Sequence, residues 1–399
     1  MPSTPRIFRQ LNLIFWICIL ASLLFILMFY VSVKDQVGSD LVSFLTAAAI
    51  VKEGKGGQLY DLSIQFSYQQ RIIKDYVITD FLLPFRNLPF FATFFLPLSY
   101  LAPLQSYKVY TVFLTGVIFW ISRLSEKIFK SSAQKIFLPI LSFFYVPNLV
   151  SIFMGQSSIL ILLIFLVIYH FVKQKKYFLS GVISGLILIK FQYILVIPFL
   201  LFLVDNKKRF LQGFLASVFL IIFLSTAVSG PGFLADYFPF LIKTETTSFG
   251  SRPGQMFSLL PLLGMLPLIS KLPFLHLLMI NAVLYLGTLL IFMKRVKEVK
   301  FADAFAAATF FTIIFSIHTP LHDLSIIFVP ILILLNSVVG QRKEVLSRVF
   351  IVVGLFFLPI IYLSLFLGTH APEIALTYPA IGFYLLRHKR TFLANKILP

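Results

Sequence analysis

The chain has 399 residues, of which 59% are hydrophobic and only 12% are charged, and its mean hydropathy is +0.95. These values exclude an ordinary soluble domain and indicate a membrane protein with many helices. The net charge of +19 does not indicate nucleic-acid binding, because the basic residues occur in short clusters between apolar runs rather than in one stripe. A single cysteine excludes a disulfide framework and a cysteine metal site.

The first apolar run, Leu11–Val33, is uncharged and long enough to cross a hydrocarbon core, which takes roughly 20 apolar residues in a helix. It is too long for a typical signal-peptide core and no small-x-small cleavage site follows it, so we interpret it as a retained first helix. The positive-inside bias assigns the basic clusters, and with them residues 1–10 and 387–399, to the cytoplasm. These clusters are Arg6/Arg9, Arg123/Lys127/Lys130/Lys135, Lys173/Lys175/Lys176, Lys207/Lys208/Arg209, Lys294/Arg295/Lys297/Lys300, Arg342/Lys343/Arg348 and Arg387/Lys389/Arg390/Lys396.

Placing the apolar runs between these clusters predicts an all-α polytopic membrane bundle with about 10 to 13 transmembrane or re-entrant helices. Residues 178–204 have basic clusters at both ends, so they must enter the membrane and return as two short helices that break around Lys190. Two short proline-bearing runs, 88–104 and 254–270, must dip into the outer face without crossing. Irregular backbone at this depth has to be buried in protein or line a wet cavity. We expect one integral membrane domain over residues 1–399.

The remaining polar features collect on the extracytoplasmic side of this predicted topology. A site assembled from several outer connections is what an enzyme acting on a lipid-borne substrate needs. The features are the 34–87 loop with Asp40, the turn at Gly155 to Ser158, the tip at Lys190, the 230–253 loop with Lys243, Glu245 and Arg252, and the turn from His318 to Asp323.

Several short motifs follow one another in a set order along the chain. They are Asp40 soon after the first helix, Gly57-Gln58-Leu59-Tyr60-Asp61, Pro84 to Pro89 with Leu96-Pro97-Leu98, Gly155-Gln156, Ser180 to Lys190 with Pro198, and His322-Asp323. Their order resembles the glycosyltransferase 87 family of polyprenyl-phosphate-sugar-dependent mannosyl- and related transferases, from about residue 38 to 340. The chain departs from the family pattern at Phe44, where tyrosines are usual, and at Leu88-Pro89, where paired prolines are usual.

The resemblance implies a GT-C fold in the plasma membrane, whose first extracytoplasmic loop, 34–87, carries an acidic catalytic residue. At that position stands Asp40. The implied reaction moves a hexose, with mannose the expected sugar, from a polyprenyl-phosphate donor to an extracytoplasmic lipid or glycan acceptor with inversion at the anomeric carbon. The expected partners are therefore the donor, the acceptor and membrane lipids, with no nucleic acid.

Chemistry also indicates Asp40, because such a transfer needs a base for the acceptor hydroxyl and groups that hold the departing phosphate. The alternative is that Asp40 caps a helix over residues 41–53, and the two roles are compatible. Lys190 is either a snorkelling lysine or the partner of a lipid phosphate at the hairpin tip.

His322 is predicted to donate to phosphate or sugar, or to be a satisfied interfacial histidine. Further candidate ligands, each of which could instead be a solvated charge or a turn residue, are Arg86, Arg252, His318 and Gln156. A metal site is not favoured, because Pro320 interrupts the His318 and His322 pair and a third ligand is missing. We therefore expect no metal and no cofactor besides the donor lipid.

Two other classes remain open at this point. A secondary transporter or flippase would show paired halves with matching broken helices, whereas the hairpin at 178–204 has no evident twin. A lipid-polymer polymerase or ligase of another membrane fold would usually have a large late external loop rich in Arg and His. In this chain the largest predicted external loop is the first one, 34–87.

Overall fold

A computed structural model of the chain describes residues 20, 39–73, 83–129, 138–246, 253–337, 342–365 and 369–387. Over these residues the regular structure is helical and contains no strand. This confirms the predicted all-α class. The predicted first helix, apart from residue 20, and both chain termini lie outside the described residues.

Helices follow one another along the chain with short connections. The α-helices are α1 Ser39–Lys52, α2 Leu62–Ile73, α3 Pro89–Phe94, α4 Pro103–Phe129, α5 Leu138–Phe144, α6 Val146–Met154, α7 Ser158–Lys173, α8 Tyr177–Gly185, α9 Val196–Leu203, α10 Lys207–Ser229, α11 Phe233–Thr246, α12 Leu259–Met265, α13 Phe274–Arg295, α14 Phe301–Phe315, α15 Phe328–Asn336, α16 Arg342–Leu365, α17 Ala371–Ala375 and α18 Thr377–Arg387. Segments of 3-10 helix lie at Gly56–Gln58, Leu98–Tyr100, Leu186–Leu195, Pro253–Gln255 and Leu321–Ile327.

Four helices of the described chain are long and apolar enough to cross a membrane. They are Tyr177–Leu203, Lys207–Ser229, Phe274–Arg295 and Leu346–Leu363. Shorter apolar helices lie at Ser158–Lys173, Phe301–Phe315 and Leu321–Asn336. A polytopic helical membrane protein is thereby confirmed.

The longest of these helices, Tyr177–Leu203, is bent back on itself. A straight helix of its 27 residues would be about 40 Å long, yet the Tyr177 hydroxyl donates a hydrogen bond of 2.7 Å to Asp205, just past the other end. The backbone leaves helical geometry at Lys190, where φ is −127° and ψ is 85°. The predicted hairpin with its break at Lys190 is therefore confirmed.

The first half of this hairpin, α8, packs closely on α10. The two backbones approach so closely at Gly181 that a Cβ there would lie 2.0 Å from the carbonyl oxygen of Phe210. Small residues permit such approaches between membrane helices. The start of α8 thus lies beside the start of α10, and Lys190 at the tip is buried.

The two proline-bearing runs that were predicted not to cross the membrane are short helices. The first contains α3, with 6 residues, and the second contains α12, with 7 residues. At 1.5 Å per residue, each reaches only about 10 Å, a third of a hydrocarbon core. Neither helix is long enough to cross, and the predicted dip of both runs into the outer face stays a prediction.

The predicted loop at 34–87 is largely helical where the structure describes it. Helix α1 has apolar residues on all sides, and Leu41, Phe44 and Ala48 are buried. A helix that is apolar all round has to be surrounded by protein or lipid. The helix that the sequence offered at 41–53 is therefore present as α1, and the connection that carries Asp40 is packed into the bundle, where Phe44 stacks on Phe95 with ring centroids 4.7 Å apart.

Two of the basic clusters, those that begin at Lys173 and at Lys207, lie at the end of the bundle opposite to the hairpin tip. Helix α7 begins at Ser158, which contacts the ammonium of Lys190, and ends at Lys173. Helices α8 and α10 begin beside the clusters that contain Lys175 and Lys207. We call the opposite end, where Lys190 lies, the tip end of the bundle.

Candidate functional site

A cavity of about 780 Å³ lies at the tip end of the bundle. Its polar lining includes Asp40, Ser43, Arg86, Asn87, Gln156, Lys190, Gln192, Glu245, Gln255, His318 and His322. Six residues predicted from the sequence therefore line one cavity, although up to 282 positions separate them along the chain. The seventh, Arg252, lies outside the described residues.

Asp40 is the second residue of α1 and not the residue before it. Its atom Oδ2 is buried and has no hydrogen-bond partner among the described residues, while its backbone carbonyl accepts a bond of 2.8 Å from the Ser43 hydroxyl. The position therefore differs from the predicted N-cap of a helix over 41–53. A buried carboxylate oxygen without a partner is costly, and such a group at a cavity wall is a candidate for contact with a ligand.

Burial raises the pKa of Asp40 to about 6, and Asp323 adds to this effect. The charges of Lys190 and His318 and the side-chain amide of Gln156 act in the opposite direction, because they stabilise the ionised form. The carboxyl group therefore titrates close to neutral pH. This is the range in which a carboxylate both exists in its ionised form and has an appreciable affinity for a proton.

The end of α6 brings Gln156 next to Asp40. Gly155 ends this helix in the left-handed region with φ of 68°, which favours glycine. A Cβ at this position would lie 2.6 Å from the Cβ of Leu41, so any other residue would force α6 and α1 apart. Gly155 thus permits the close approach that places Gln156 beside the carboxyl group.

The ammonium of Lys190 is paired inside the protein. It lies 2.5 Å from Oδ1 of Asp323 and donates to the Ser158 hydroxyl at 3.0 Å, with 7% of the lysine side chain and none of the aspartate exposed. The Ser158 hydroxyl in turn donates to the same carboxylate at 2.5 Å. Asp323 is therefore the counter-ion of Lys190 inside the protein, and the contact of Lys190 with a lipid phosphate stays a prediction.

Asp323 joins three parts of the chain, because Gln192 and His322 also approach its carboxylate. The Gln192 amide donates to Oδ2 at 3.3 Å, and Nε2 of His322 lies 3.6 Å from Oδ1. Burial lowers the pKa of His322 to about 3, so its imidazole is neutral at physiological pH. Sequence reasoning missed Asp323, Ser158 and Gln192 as partners, although the need of Lys190 for a buried counter-ion was a signal for an acidic residue nearby.

Arg86 is not a solvated loop charge. Its Nε lies 3.4 Å from Oε1 of Glu245, and its guanidinium donates to the Thr244 carbonyl at 2.8 Å. His318 approaches the other oxygen of the same carboxylate, with Nδ1 3.3 Å from Oε2. Glu245 is therefore clamped between Arg86 and His318 in the cavity wall, which the sequence alone did not indicate.

Much of the remaining lining of the cavity is apolar. It includes side chains from α11 and α13, among them Phe238, Leu241, Ile242, Phe274 and Leu278. Phe238 and Ile242 are more than half exposed. The cavity therefore presents both charged groups and a hydrocarbon-like surface.

No group of three or more His, Cys, Asp or Glu side chains that could hold a metal ion occurs in the part of the chain that the structure describes. The nearest arrangement, His322 beside Asp323, is occupied by the ion pair with Lys190. The expectation that the site works without a metal remains a prediction.

The family model of glycosyltransferase family 87 matches residues 85–316, which is more than half of the chain. The matched range contains Arg86, Gln156, Lys190 and Glu245, whereas Asp40 precedes it and His322 follows it. A search of curated proteins found no match, and a search of solved structures found none.

Proposed function

On the premise that this chain belongs to glycosyltransferase family 87, we propose that it transfers a hexose from a polyprenyl-phosphate sugar to an extracytoplasmic lipid or glycan acceptor. Its class as a membrane glycosyltransferase follows from the family and from the apolar helices. The observation that carries the finer proposal is the buried carboxylate of Asp40, whose Oδ2 has no partner among the described residues and which lines a cavity with both polar and apolar side chains.

The polar and apolar linings of the cavity fit the two parts of a lipid-linked sugar donor. A sugar phosphate needs hydrogen-bond donors and cations, which the polar lining offers. A polyprenyl chain needs a hydrocarbon surface, and α11 and α13 offer one through Phe238, Ile242 and Leu278. Phe238 and Ile242 are more than half exposed, so they are accessible to the chain of the lipid.

In the proposed reaction, Asp40 removes the proton from the acceptor hydroxyl as its oxygen attacks the anomeric carbon. A new carbon–oxygen bond forms on one face of the sugar, and the bond between the anomeric carbon and the phosphate oxygen breaks on the other. The electron pair of the broken bond leaves with polyprenyl phosphate, and the proton resides on Asp40. Direct displacement of this kind inverts the anomeric configuration, and the base contributes about 10²–10⁴ in rate.

The departing phosphate is proposed to meet Lys190 and His322. An ammonium has three donors, and Ser158 and Asp323 account for two of them. The third donor can bind a phosphate oxygen while the ion pair holds the ammonium in place. His322 and Gln156 line the same cavity and are also proposed to contact the donor. Arg252 is a further proposed contact, which rests on the sequence alone.

We also propose that the cavity faces the extracytoplasmic side and that both termini are cytoplasmic. The basic clusters at the opposite end of the helices support this orientation through the positive-inside bias. The chain contains a single cysteine, so a Cys18→Ser background permits single-cysteine labelling. Cysteines introduced within residues 1–10 and 388–399 should be protected from an impermeant reagent in intact cells, and labelling at either terminus contradicts the orientation.

The sugar is proposed to be mannose, and catalysis is proposed to need no metal, since a monoester leaving group can be neutralised by a lysine and hydrogen bonds. The deciding experiment incubates purified protein in nanodiscs with polyprenyl-phosphate mannose or glucose and a lipid acceptor, with and without chelator. We expect stoichiometric release of polyprenyl phosphate that chelator does not affect. A flippase or transporter, the alternative class, would move its substrate across vesicles without consuming it.

A further inference from the structure

We propose that Glu245, held between Arg86 and His318, recognises hydroxyl groups of the transferred hexose and thereby determines which sugar the enzyme accepts. This inference rests on the proposed function and adds to it which part of the donor these residues bind, namely the sugar hydroxyls. The group of Arg86, Glu245 and His318 is called the hydroxyl-binding group below.

The geometry of the hydroxyl-binding group is fixed by contacts on both sides of the carboxylate. Oε1 of Glu245 lies 3.4 Å from Nε of Arg86, and Oε2 lies 3.3 Å from Nδ1 of His318. Exposed fractions of 14% for Glu245, 19% for Arg86 and 21% for His318 show that all three side chains are largely enclosed. All three line the cavity, so a ligand in the cavity meets a carboxylate, a guanidinium and an imidazole together.

Further hydrogen bonds keep this arrangement in place. The Tyr237 hydroxyl donates to the backbone carbonyl of Arg86 at 3.0 Å, and Thr244 binds the guanidinium of Arg86 through its carbonyl and its hydroxyl. Tyr237, Thr244 and Glu245 all belong to α11. These contacts hold helix α11 and the segment before α3 in a fixed relative position. Specific binding requires that the binding groups are oriented by supporting contacts of this kind.

The charge of Glu245 decides which part of the donor it can meet. A carboxylate repels the donor phosphate, because two anions in an enclosed site oppose each other strongly. Sugar hydroxyls are neutral and donate readily to a carboxylate, and each carboxylate oxygen accepts more than one hydrogen bond. The adjacent guanidinium donates to the same or to a neighbouring hydroxyl, so the pair can distinguish the orientation of two adjacent hydroxyl groups.

The position of the hydroxyl-binding group relative to the base agrees with this assignment. His318 contacts Glu245, and its charge also acts on the carboxyl group of Asp40. Lys190 acts on Asp40 as well, yet it is paired with Asp323 and not with Glu245. Two ion-paired sets of groups therefore lie near the base. In one, Lys190 lines the cavity and its partner Asp323 does not, which suits phosphate; in the other, the carboxylate of Glu245 itself lines the cavity, which suits hydroxyls.

The test is a cycle that combines Glu245→Gln with sugar donors that each lack one hydroxyl group. Gln keeps the size of the side chain and removes its charge. We expect wild-type protein to lose about tenfold to a hundredfold in kcat/KM with one particular deoxy donor, the range for a hydrogen bond to a charged group. Glu245→Gln should show a similar loss with the parent donor but no further loss when that hydroxyl is removed.

The matched control is Glu298→Gln, because Glu298 is also paired with an arginine, Arg295, but is 43% exposed at the basic end of the bundle. It should behave as wild type with every donor. If Glu245→Gln melts at a lower temperature than wild type, Arg86→Lys provides the second variant, since it keeps the positive charge and loses the fork geometry. It should reproduce the donor-dependent loss.

Two unfavourable outcomes can be told apart. If wild-type protein transfers sugar and Glu245→Gln reduces kcat/KM by the same factor with all donors, Glu245 only supports the fold and this inference is overturned while the proposed function stands. If wild-type protein transfers no hexose from any polyprenyl-phosphate donor, the proposed function is overturned and the inference with it.

Discussion

Lys190 and Asp323, which are 133 positions apart in the chain, form a buried ion pair with 2.5 Å between Nζ and Oδ1. The pair connects the tip of the hairpin to the 3-10 segment Leu321–Ile327, and the Ser158 hydroxyl joins both partners. Burying an ammonium or a carboxylate without its partner costs free energy of folding, so each of the two charges offsets the cost of burying the other. The structure at the tip end depends on both.

Breaking this pair from one side should destabilise the protein. Lys190→Met and Asp323→Asn each leave one buried charge or its hydrogen-bonding groups uncompensated, which costs about 3–5 kcal/mol for a buried pair. The double variant removes both charges and should be less destabilised than the sum of the two single variants. Melting temperatures of the four proteins in one detergent measure this coupling, and strictly additive losses contradict it. Lys175→Met is the control, because Lys175 pairs with Asp205 on the surface, where both are 76% exposed.

The same two variants should move the acid limb of the pH–rate profile in opposite directions. Burial raises the pKa of Asp40 to about 6, while the Lys190 charge lowers it and the Asp323 charge raises it. Transfer should therefore fall as the pH drops through about 6 in the wild type, since protonated Asp40 cannot accept a proton. The midpoint should move to higher pH in Lys190→Met and to lower pH in Asp323→Asn. Profiles of kcat/KM for the three proteins test this, and shifts of the same sign contradict it.

Asp40→Asn should abolish most of the transfer while the donor still binds. The change keeps the size of the side chain and removes the base, so kcat should fall by about 10²–10⁴. Turnover and donor affinity are measured on the same nanodisc preparation. Asp61→Asn is a suitable control, because Asp61 is an exposed carboxylate that accepts a bond from the backbone of Ser63 and lies away from the cavity. Near-normal transfer by Asp40→Asn shows that Asp40 is not the base.

Asp40→Asn should also stabilise the protein above pH 6. The pKa of Asp40 is raised from 3.8 to about 6 by burial, so the ionised form is disfavoured in the folded state relative to the unfolded state. The stability contributed by the protonated group is complete below pH 3.8 and is lost as the pH rises through about 6. A shift of this size corresponds to roughly 3 kcal/mol at most.

Melting temperatures of wild type and Asp40→Asn at pH 4 and pH 8 measure this effect. The variant should melt at a higher temperature than wild type at pH 8, and this advantage should nearly disappear at pH 4. A lower melting temperature of the variant at pH 8 indicates that the carboxylate has a stabilising partner and that its activity loss reflects folding.

Topology could be read largely from the sequence, because apolar runs and basic clusters obey constraints that act locally. Basic clusters on both sides of 178–204 required an even number of passages, and the structure shows the return through the contact between Tyr177 and Asp205. Proline-bearing runs at 88–104 and 254–270 were too short to cross, and they form α3 and α12. A helix over 41–53 was also indicated by the sequence and is present as α1, but its packing inside the bundle was not predicted, because α1 lacks the polar face by which an amphipathic helix is oriented.

The polar residues of the site could also be recognised in the sequence, because charged side chains are rare within membrane segments and mark functional or paired positions. The sequence determined that Asp40, Arg86, Gln156, Lys190, His318 and His322 are polar groups on one side of a membrane bundle. Only the tertiary structure decided their partners: Asp323 for Lys190 and Glu245 for Arg86 and His318. Ion pairs between residues this far apart depend on how helices pack, and no local pattern encodes which carboxylate reaches which cation.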